Sequence, residues 1–170
     1  WVIRSGTNLD ANIISKADKL AVIGRAGVGI DNIDISAATR KGVVVMNTPD
    51  ANTISAAEHT MALLLSLSRN VSYGHQSILS GNWDRHKFIG SELRTKTLGI
   101  IGLGKIGREV MHRALGFNMK ILGFDPFIKK DMLRRDEIEL LDLNVLVEKS
   151  DFITIHIPLT NDTKNLFDYE

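Results

Sequence analysis

Thr97-Leu98-Gly99-Ile100-Ile101-Gly102-Leu103-Gly104-Lys105-Ile106-Gly107 is the stretch on which the fold turns. Leu98–Ile101 reads as a strand, and Gly102–Gly107 is a G-x-G-x-x-G string. Beyond it Ile106, Val110 and Ala114 recur at helical spacing. The string alone is weak, but strand, glycine turn and helix in that order form a phosphate-binding unit. The first glycine makes the tight turn, the second lets backbone amides approach a pyrophosphate, and the third permits close helix–strand contact. The helix N-terminus offers unbonded N–H groups and about half a positive charge to the anion. Gly102, Gly104, Lys105, Ile106 and Gly107 are therefore candidate cofactor residues, with the Lys105 and Ile106 amides facing the phosphates.

The next apolar run, Lys120–Phe124, ends at Asp125, roughly 20 residues past the first glycine, where a ribose-binding carboxylate is expected. A carboxylate there accepts from the adenosine hydroxyls and repels a 2′-phosphate. Pro126-Phe127-Ile128 follows instead of an arginine, so the reading is NAD rather than NADP. Phe152–Ile157 reads as the third strand of this mononucleotide half, broken by Pro158. Ile157 and Pro158 are then expected to flank the adenine side of the crevice beyond the strand ends.

Outward from this unit, further strands are expected at Trp1–Arg4, Leu20–Arg25 and Gly42–Met46. Their apolar runs lack polar alternation, as in parallel strands covered on both faces. Helices are expected at Asp34–Lys41, closed by Gly42, and at Ile106–Leu115, stopped by Gly116. Another runs from an N-cap at Asp142 to near Ser150. Ser55-Ala56-Ala57-Glu58 reads as a capping box opening a helix to about Arg69, apolar on nearly every side and so buried in a core or against a partner chain. Val71–Arg94 reads as loop-rich. The whole is α/β: an incomplete Rossmann-like doubly wound parallel sheet, preceded by part of a smaller flavodoxin-like α/β domain. The expected boundary separates residues 1–48, a partial substrate domain, from residues 49–170, the first half of a dinucleotide domain with a dimerisation helix and arm. Both ends read as interrupted, as in an internal piece of a longer protein.

Composition narrows the classes. With 170 residues, 21 Lys+Arg against 20 Asp+Glu, 44% hydrophobic residues and no cysteine, this is ordinary globular material. A charge near zero gives no bulk attraction to nucleic acid or a membrane surface. No apolar run approaches the roughly 20 residues of a membrane span. Absent cysteine excludes disulfides and Cys-ligated metal, and no metal site is expected. A cytoplasmic setting fits. Lys129, Lys130, Asp131, Arg134, Arg135, Asp136 and Glu137 read as a solvated mixed-charge surface. His59, Met61 and His112 read as structural, and His156 as a polar strand-end residue.

At Arg25-Ala26-Gly27-Val28-Gly29-Ile30-Asp31-Asn32, Asn47–Thr60, Trp83–Phe88, Gly102–Gly107, Phe124-Asp125-Pro126 and Ser150–Leu159, the chain resembles the D-isomer-specific 2-hydroxyacid dehydrogenases. The resemblance runs end to end. It implies NAD-dependent oxidation of a small 2-hydroxy acid, the motifs favouring phosphorylated 3-phosphoglycerate as substrate, in a homodimer or homotetramer. It implies that Arg4 and Arg25 look onto substrate phosphate and carboxylate. It also implies that Val28 and Gly29 approach substrate and nicotinamide through their backbone, and that Asn52 makes a polar contact in the cleft. Arg85, with Lys87 beside it, would reach across a dimer interface to the neighbouring site. Guanidinium forks suit such oxyanions because they bind bidentately. The family's catalytic Arg, Glu and His are expected after Glu170, so no catalytic residue is assigned. Two alternatives stand beside this: a non-catalytic NAD-binding dimerisation module of the corepressor type, and another family enzyme such as a glyoxylate/hydroxypyruvate reductase.

Overall fold

A computed structural model describes residues 1–128, 137–160 and 162–167. The charged residues Lys129, Lys130, Asp131, Arg134, Arg135 and Asp136, read above as surface, lie outside the described residues. The chain divides into two compact units, Trp1–Thr53 with Pro158–Glu170, and Ile54–Ile157. The division thus falls after Thr53 rather than after residue 48. The intervening turn closes on itself from Ala51 N to Thr48 O and from Thr53 N to Asp50 O, and Thr48 N bonds Gly27 O in the first unit at 3.1 Å. Pro158 and Leu159 return to that unit, beside Val28–Asp31.

In the first unit β1 (Val2–Ile3), β2 (Val22–Arg25) and β3 (Val44–Asn47) form a parallel sheet in that order. Two short helices, α1 (Ala11–Lys16) and α2 (Ile35–Arg40), start at aspartates whose carboxylates cap the first turn: Asp10 accepts from Ile13 N and Asp34 from Ala37 N, each at 2.8 Å. Such caps are worth about 1 kcal/mol each. Ile3, Ile14, Ile23, Ala37, Ala38 and Val43 make the core. Sequence reading takes the residues before Pro49 as a β-α-β-α-β run without giving α1 limits, and expects both sheet faces to be covered. The opposite face instead exposes Val2, Val22, Val44 and Met46, because alternation sends every second residue there.

The second unit opens with α3 (Thr53–Ser68). The helix begins two residues before Ser55, so Ser55 lies inside the first turn and the expected capping box is not the N-terminus. Thr53, Ala57, Met61 and Ser68 face inward while Ile54, Leu63 and Leu67 are exposed. The supposed loop of Val71–Arg94 contains α4 (Val71–Leu79) and a 3-10 turn, Arg85–Phe88. Then follow β4 (Thr97–Ile101), α5 (Lys105–Gly116), β5 (Lys120–Phe124), β6 (Glu139–Leu140), α6 (Leu143–Lys149) and β7 (Phe152–Ile155). Gly116 is the last residue of α5 and Phe117 its cap. Asp142 stands at the N-cap of α6 without a side-chain bond.

The sheet order is β6-β5-β4-β7, all parallel. β7 therefore is not the third strand of the nucleotide half, as expected from sequence. That place belongs to the two-residue β6, too short to show a pattern, and β7 pairs with the other edge of β4. The crevice at a change of strand direction lies where the chain leaves β4 and β7. Leu98, Ile100, Leu103, Val110, Met111 and Ala114 pack the core between sheet and α5.

Asp151, ahead of β7, locks the start of the sheet. Its carboxylate accepts from Thr97 N at 2.8 Å and from Lys96 Nζ at 3.3 Å. The Thr97 amide first, and the Lys96 ammonium after it, hold its carboxyl below the ordinary 3.8. A carboxyl lowered in the fold stabilises it above its unfolded value and loses that contribution as pH falls through the lowered one. The stability gap between wild type and Asp151→Ala should be constant above about pH 5 and close below 3.8. Denaturant melts across that range check it, and a gap independent of pH contradicts it.

Candidate functional site

The glycine turn in the second unit is built by close packing. Gly102 has φ +90, and a Cβ there would lie 2.6 Å from His156 O and 2.8 Å from Ile157 Cγ2. A Cβ at Gly107 would overlap Gly102 O. These two glycines are demanded by the fold itself. Gly104 differs, because among the described residues no atom beyond its own chain neighbours lies within 4 Å of its Cβ position. It is the extended N-cap of α5 and offers no side chain to bond. The first rung of that helix runs from Arg108 N to Gly104 O at 3.1 Å, so the Ile106 and Gly107 amides precede the ladder and point outward at the positive end of the dipole. Open space beside a glycine, with helix-end donors next to it, fits a pyrophosphate.

Asp125 leaves β5 beside this turn. Its Oδ2 accepts from Leu103 N at 2.8 Å and its Oδ1 from Phe127 N at 2.9 Å. Each oxygen keeps acceptor capacity for a hydroxyl. A cleft of about 360 Å³ opens next to it, lined by Phe124, Asp125, Pro126, Ile128 and Leu140–Asp142. The backbone of His156 and the side chain of Ile157 abut Gly102. The His156 ring bonds Thr154 Oγ1 at 2.9 Å, and burial pushes its imidazole below the ordinary 6.5.

In the first unit the carboxyl ends of the strands carry the candidate anion residues. Arg25 pairs in register with Ile3 on β1 and Asn47 on β3. It shares the parity of buried Ile23, so its stem turns under the core face. There its Nε is buried without a hydrogen-bond partner, and its guanidinium tucks against Gly27, φ +154. Arg4, one residue past β1, is exposed. Asn47 Nδ2 donates to Val28 O at 2.7 Å, and Asn32 Nδ2 donates to Thr7 O at 2.6 Å and Arg4 O at 3.1 Å. Two asparagines thus pin the loops that carry Arg4 and Val28. A cleft of about 700 Å³ is lined by Val28, Gly29, Asp31, Asn47, Pro158 and Leu159.

Residues 61–170 match the family model described as D-isomer specific 2-hydroxyacid dehydrogenase, NAD binding domain. The chain belongs to this family. It is 51% identical over 170 residues to D-3-phosphoglycerate dehydrogenase of Methanocaldococcus jannaschii, covering 99% of this chain and 32% of that protein. It is 48% identical over 165 residues to the protein of the same name from Archaeoglobus fulgidus, covering 97% and 31%. The chain therefore spans about a third of the length of these curated relatives. Among solved structures it resembles the NAD-dependent formate dehydrogenase of Staphylococcus aureus in complex with NAD, with TM-score 0.89 and 35% identity, covering 98% of this chain and 51% of that one.

As a 2-hydroxyacid dehydrogenase chain it is the NAD-binding part, and NAD is the cofactor. Gly102, Gly104, Lys105, Ile106, Gly107, Asp125 and Ile157 lie in one unit around one turn. Val28, Gly29, Arg4, Arg25, Asn52 and Pro158 lie in the other. Arg85 opens the 3-10 turn, exposed, and its neighbours Asp84 and Lys87 pair with each other at 2.6 Å. His59 and His112 are exposed while Met61 is buried. No cluster of three metal-binding side chains occurs among the described residues. Sequence reasoning missed Arg108, whose Nε donates to Leu103 O at 2.9 Å, and both loop-pinning asparagines. Only the glycine string, which ends at the residue before it, hinted at Arg108.

Asp125→Ala removes an acceptor from the Leu103 and Phe127 amides as well as from the ligand. NAD affinity is expected to fall about tenfold or more, with some loss of stability. Calorimetric titration checks this, and unchanged affinity would remove Asp125 as the ribose acid.

Proposed function

We propose that the protein to which these residues belong oxidises 3-phosphoglycerate to 3-phosphohydroxypyruvate with NAD, a step toward serine. The observation that carries this reading is the buried, partnerless Nε of Arg25 at the carboxyl end of the central strand of a parallel sheet, with the exposed Arg4 one residue past the neighbouring β1. A desolvated cation donor asks for an anion, and a substrate with both a phosphate and a carboxylate supplies two. The names of the curated relatives support the same substrate. NAD, when bound, supplies the two-electron acceptor. Of this chain's own residues, Arg25 and Arg4 bind the oxyanions, the Val28 and Gly29 backbone and Asn52 position the acid, and Gly102–Gly107 with Asp125 hold the dinucleotide.

The test is phosphoglycerate-dependent reduction of NAD by the full-length protein. No reduction with this acid, but reduction with an unphosphorylated 2-hydroxy acid, would redirect the substrate assignment. The 170 residues alone are expected to bind NAD and not to turn over, and steady-state NADH production by them would refute that. No helix among the described residues is long and apolar enough to cross a membrane, and we place the enzyme in the cytoplasm.

A homodimer or homotetramer belongs to the same proposal. The outer side of α3 leaves Ile54, Leu63 and Leu67 at 49%, 58% and 69% exposure, and α4 buries none of its residues. Arg85 follows on that arm, so a second copy would bring it to the neighbouring site. Sedimentation at micromolar concentration should give dimers or tetramers, and Leu63→Glu with Leu67→Glu should give monomers. A monodisperse wild-type monomer would count against it.

A further inference from the structure

We infer that Arg108 is a positioning residue for the dinucleotide site: its guanidinium clamps the Leu103 backbone and, through it, the carboxylate of Asp125. This rests on the cofactor assignment and goes beyond it. Leu103 is held on both sides of its Cα, the N–H of the peptide before it donating to Asp125 Oδ2 at 2.8 Å and the carbonyl of the peptide after it accepting from Arg108 Nε at 2.9 Å. The Leu103 side chain is fully buried, so the residue is anchored on a third side. Arg108 is tied to the turn a second time, by its own amide to Gly104 O at 3.1 Å. Rotation of the peptide before Leu103 would break the bond to the residue after β5, and rotation of the peptide after it would break the bond to α5.

The chemistry explains why the donor is an arginine. A hydrogen bond to a carbonyl polarises that peptide and strengthens the N–H donor next in the chain. The cation at Leu103 O thus strengthens the Gly104 N–H of that peptide, and it reaches Asp125 only by fixing the Leu103 backbone that both bonds share. With Phe127 N on the other oxygen at 2.9 Å, the carboxylate plane is set before any hydroxyl arrives, which lowers the ordering cost of binding. Lysine cannot replace this contact, because its Cε stands where arginine carries Nε, and its ammonium is a point charge without the planar fork.

The experiment uses the full-length protein and Arg108→Lys, with Arg108→Ala beside it. NAD affinity is read by calorimetry at low and high salt. Both variants are expected to bind NAD roughly tenfold more weakly, with the loss unchanged by salt. Adenosine, which carries no phosphate, should weaken in parallel because the clamp acts on the ribose acid. Amide exchange at Leu103 should speed up in Arg108→Lys. That readout keeps the test decisive if Arg108→Ala folds poorly. Full rescue by lysine, or a loss confined to phosphate-bearing ligands and erased by salt, would overturn the clamp in favour of a simple charge. Wild-type affinity in Arg108→Lys would overturn it while leaving the cofactor assignment intact. A wild-type protein that binds no NAD would overturn both.

Discussion

Gly104→Ala is expected to abolish measurable NAD binding while leaving the protein folded, whereas Gly102→Ala should damage both. At Gly104 the added methyl meets, among the described residues, no atom beyond its own chain neighbours within 4 Å, and φ is an ordinary −67. Stability should therefore stay within about 1 kcal/mol, the usual scale of an N-cap change. The same methyl occupies the space through which a pyrophosphate must approach the α5 amides, and the approach is lost. At Gly102 the methyl runs into His156 O at 2.6 Å, and φ +90 is foreign to an L-residue. Strain and overpacking each cost about 1–3 kcal/mol. Urea melts paired with NAD titrations separate the two variants. Tight NAD binding by Gly104→Ala would contradict the placement of the phosphates.

Arg25→Met carries the second large effect, and its two halves have opposite signs. Removing a buried donor that has no partner relieves a desolvation cost of about 1–3 kcal/mol, so the variant should melt no lower than wild type. The same change deletes the cation proposed to face the substrate's oxyanions. Loss of a buried charge partner costs about 2–5 kcal/mol, which raises KM for the phosphorylated acid roughly a hundredfold or more. Arg25→Lys should recover only part of this, because bidentate geometry is lost while charge is kept. A steady-state series on the full-length enzyme checks the KM values. Unchanged KM with unchanged stability would mean that Arg25 binds neither solvent-excluded anion nor anything else.

Several elements were legible because their signals are local. β4 and β5 have the limits expected from their apolar runs, and the Asp34 cap of α2 forms as the residue type suggests. The start of α3 was misread because Ser55 and Glu58 satisfy a local rule that the helix, extending back to Thr53, does not use. α1 received no limits because its six residues bury one side chain, Ile14, and so show little apolar pattern. β6 was missed for the same reason, and with it the true position of β7.

From composition and spacing alone came the α/β class, the glycine turn and the candidate ribose acid, because turn chemistry and side-chain periodicity are carried by residues within a few positions of one another, whereas Arg4 and Arg25 were picked out by the family resemblance. Folding added the strand order β6-β5-β4-β7, the burial of Arg25 Nε, and the Leu103 backbone caught between Asp125 and Arg108. Strand neighbours, desolvation and hydrogen bonds between separate elements depend on which surfaces meet in space. A linear pattern sets which face of an element is apolar, but not which partner covers it.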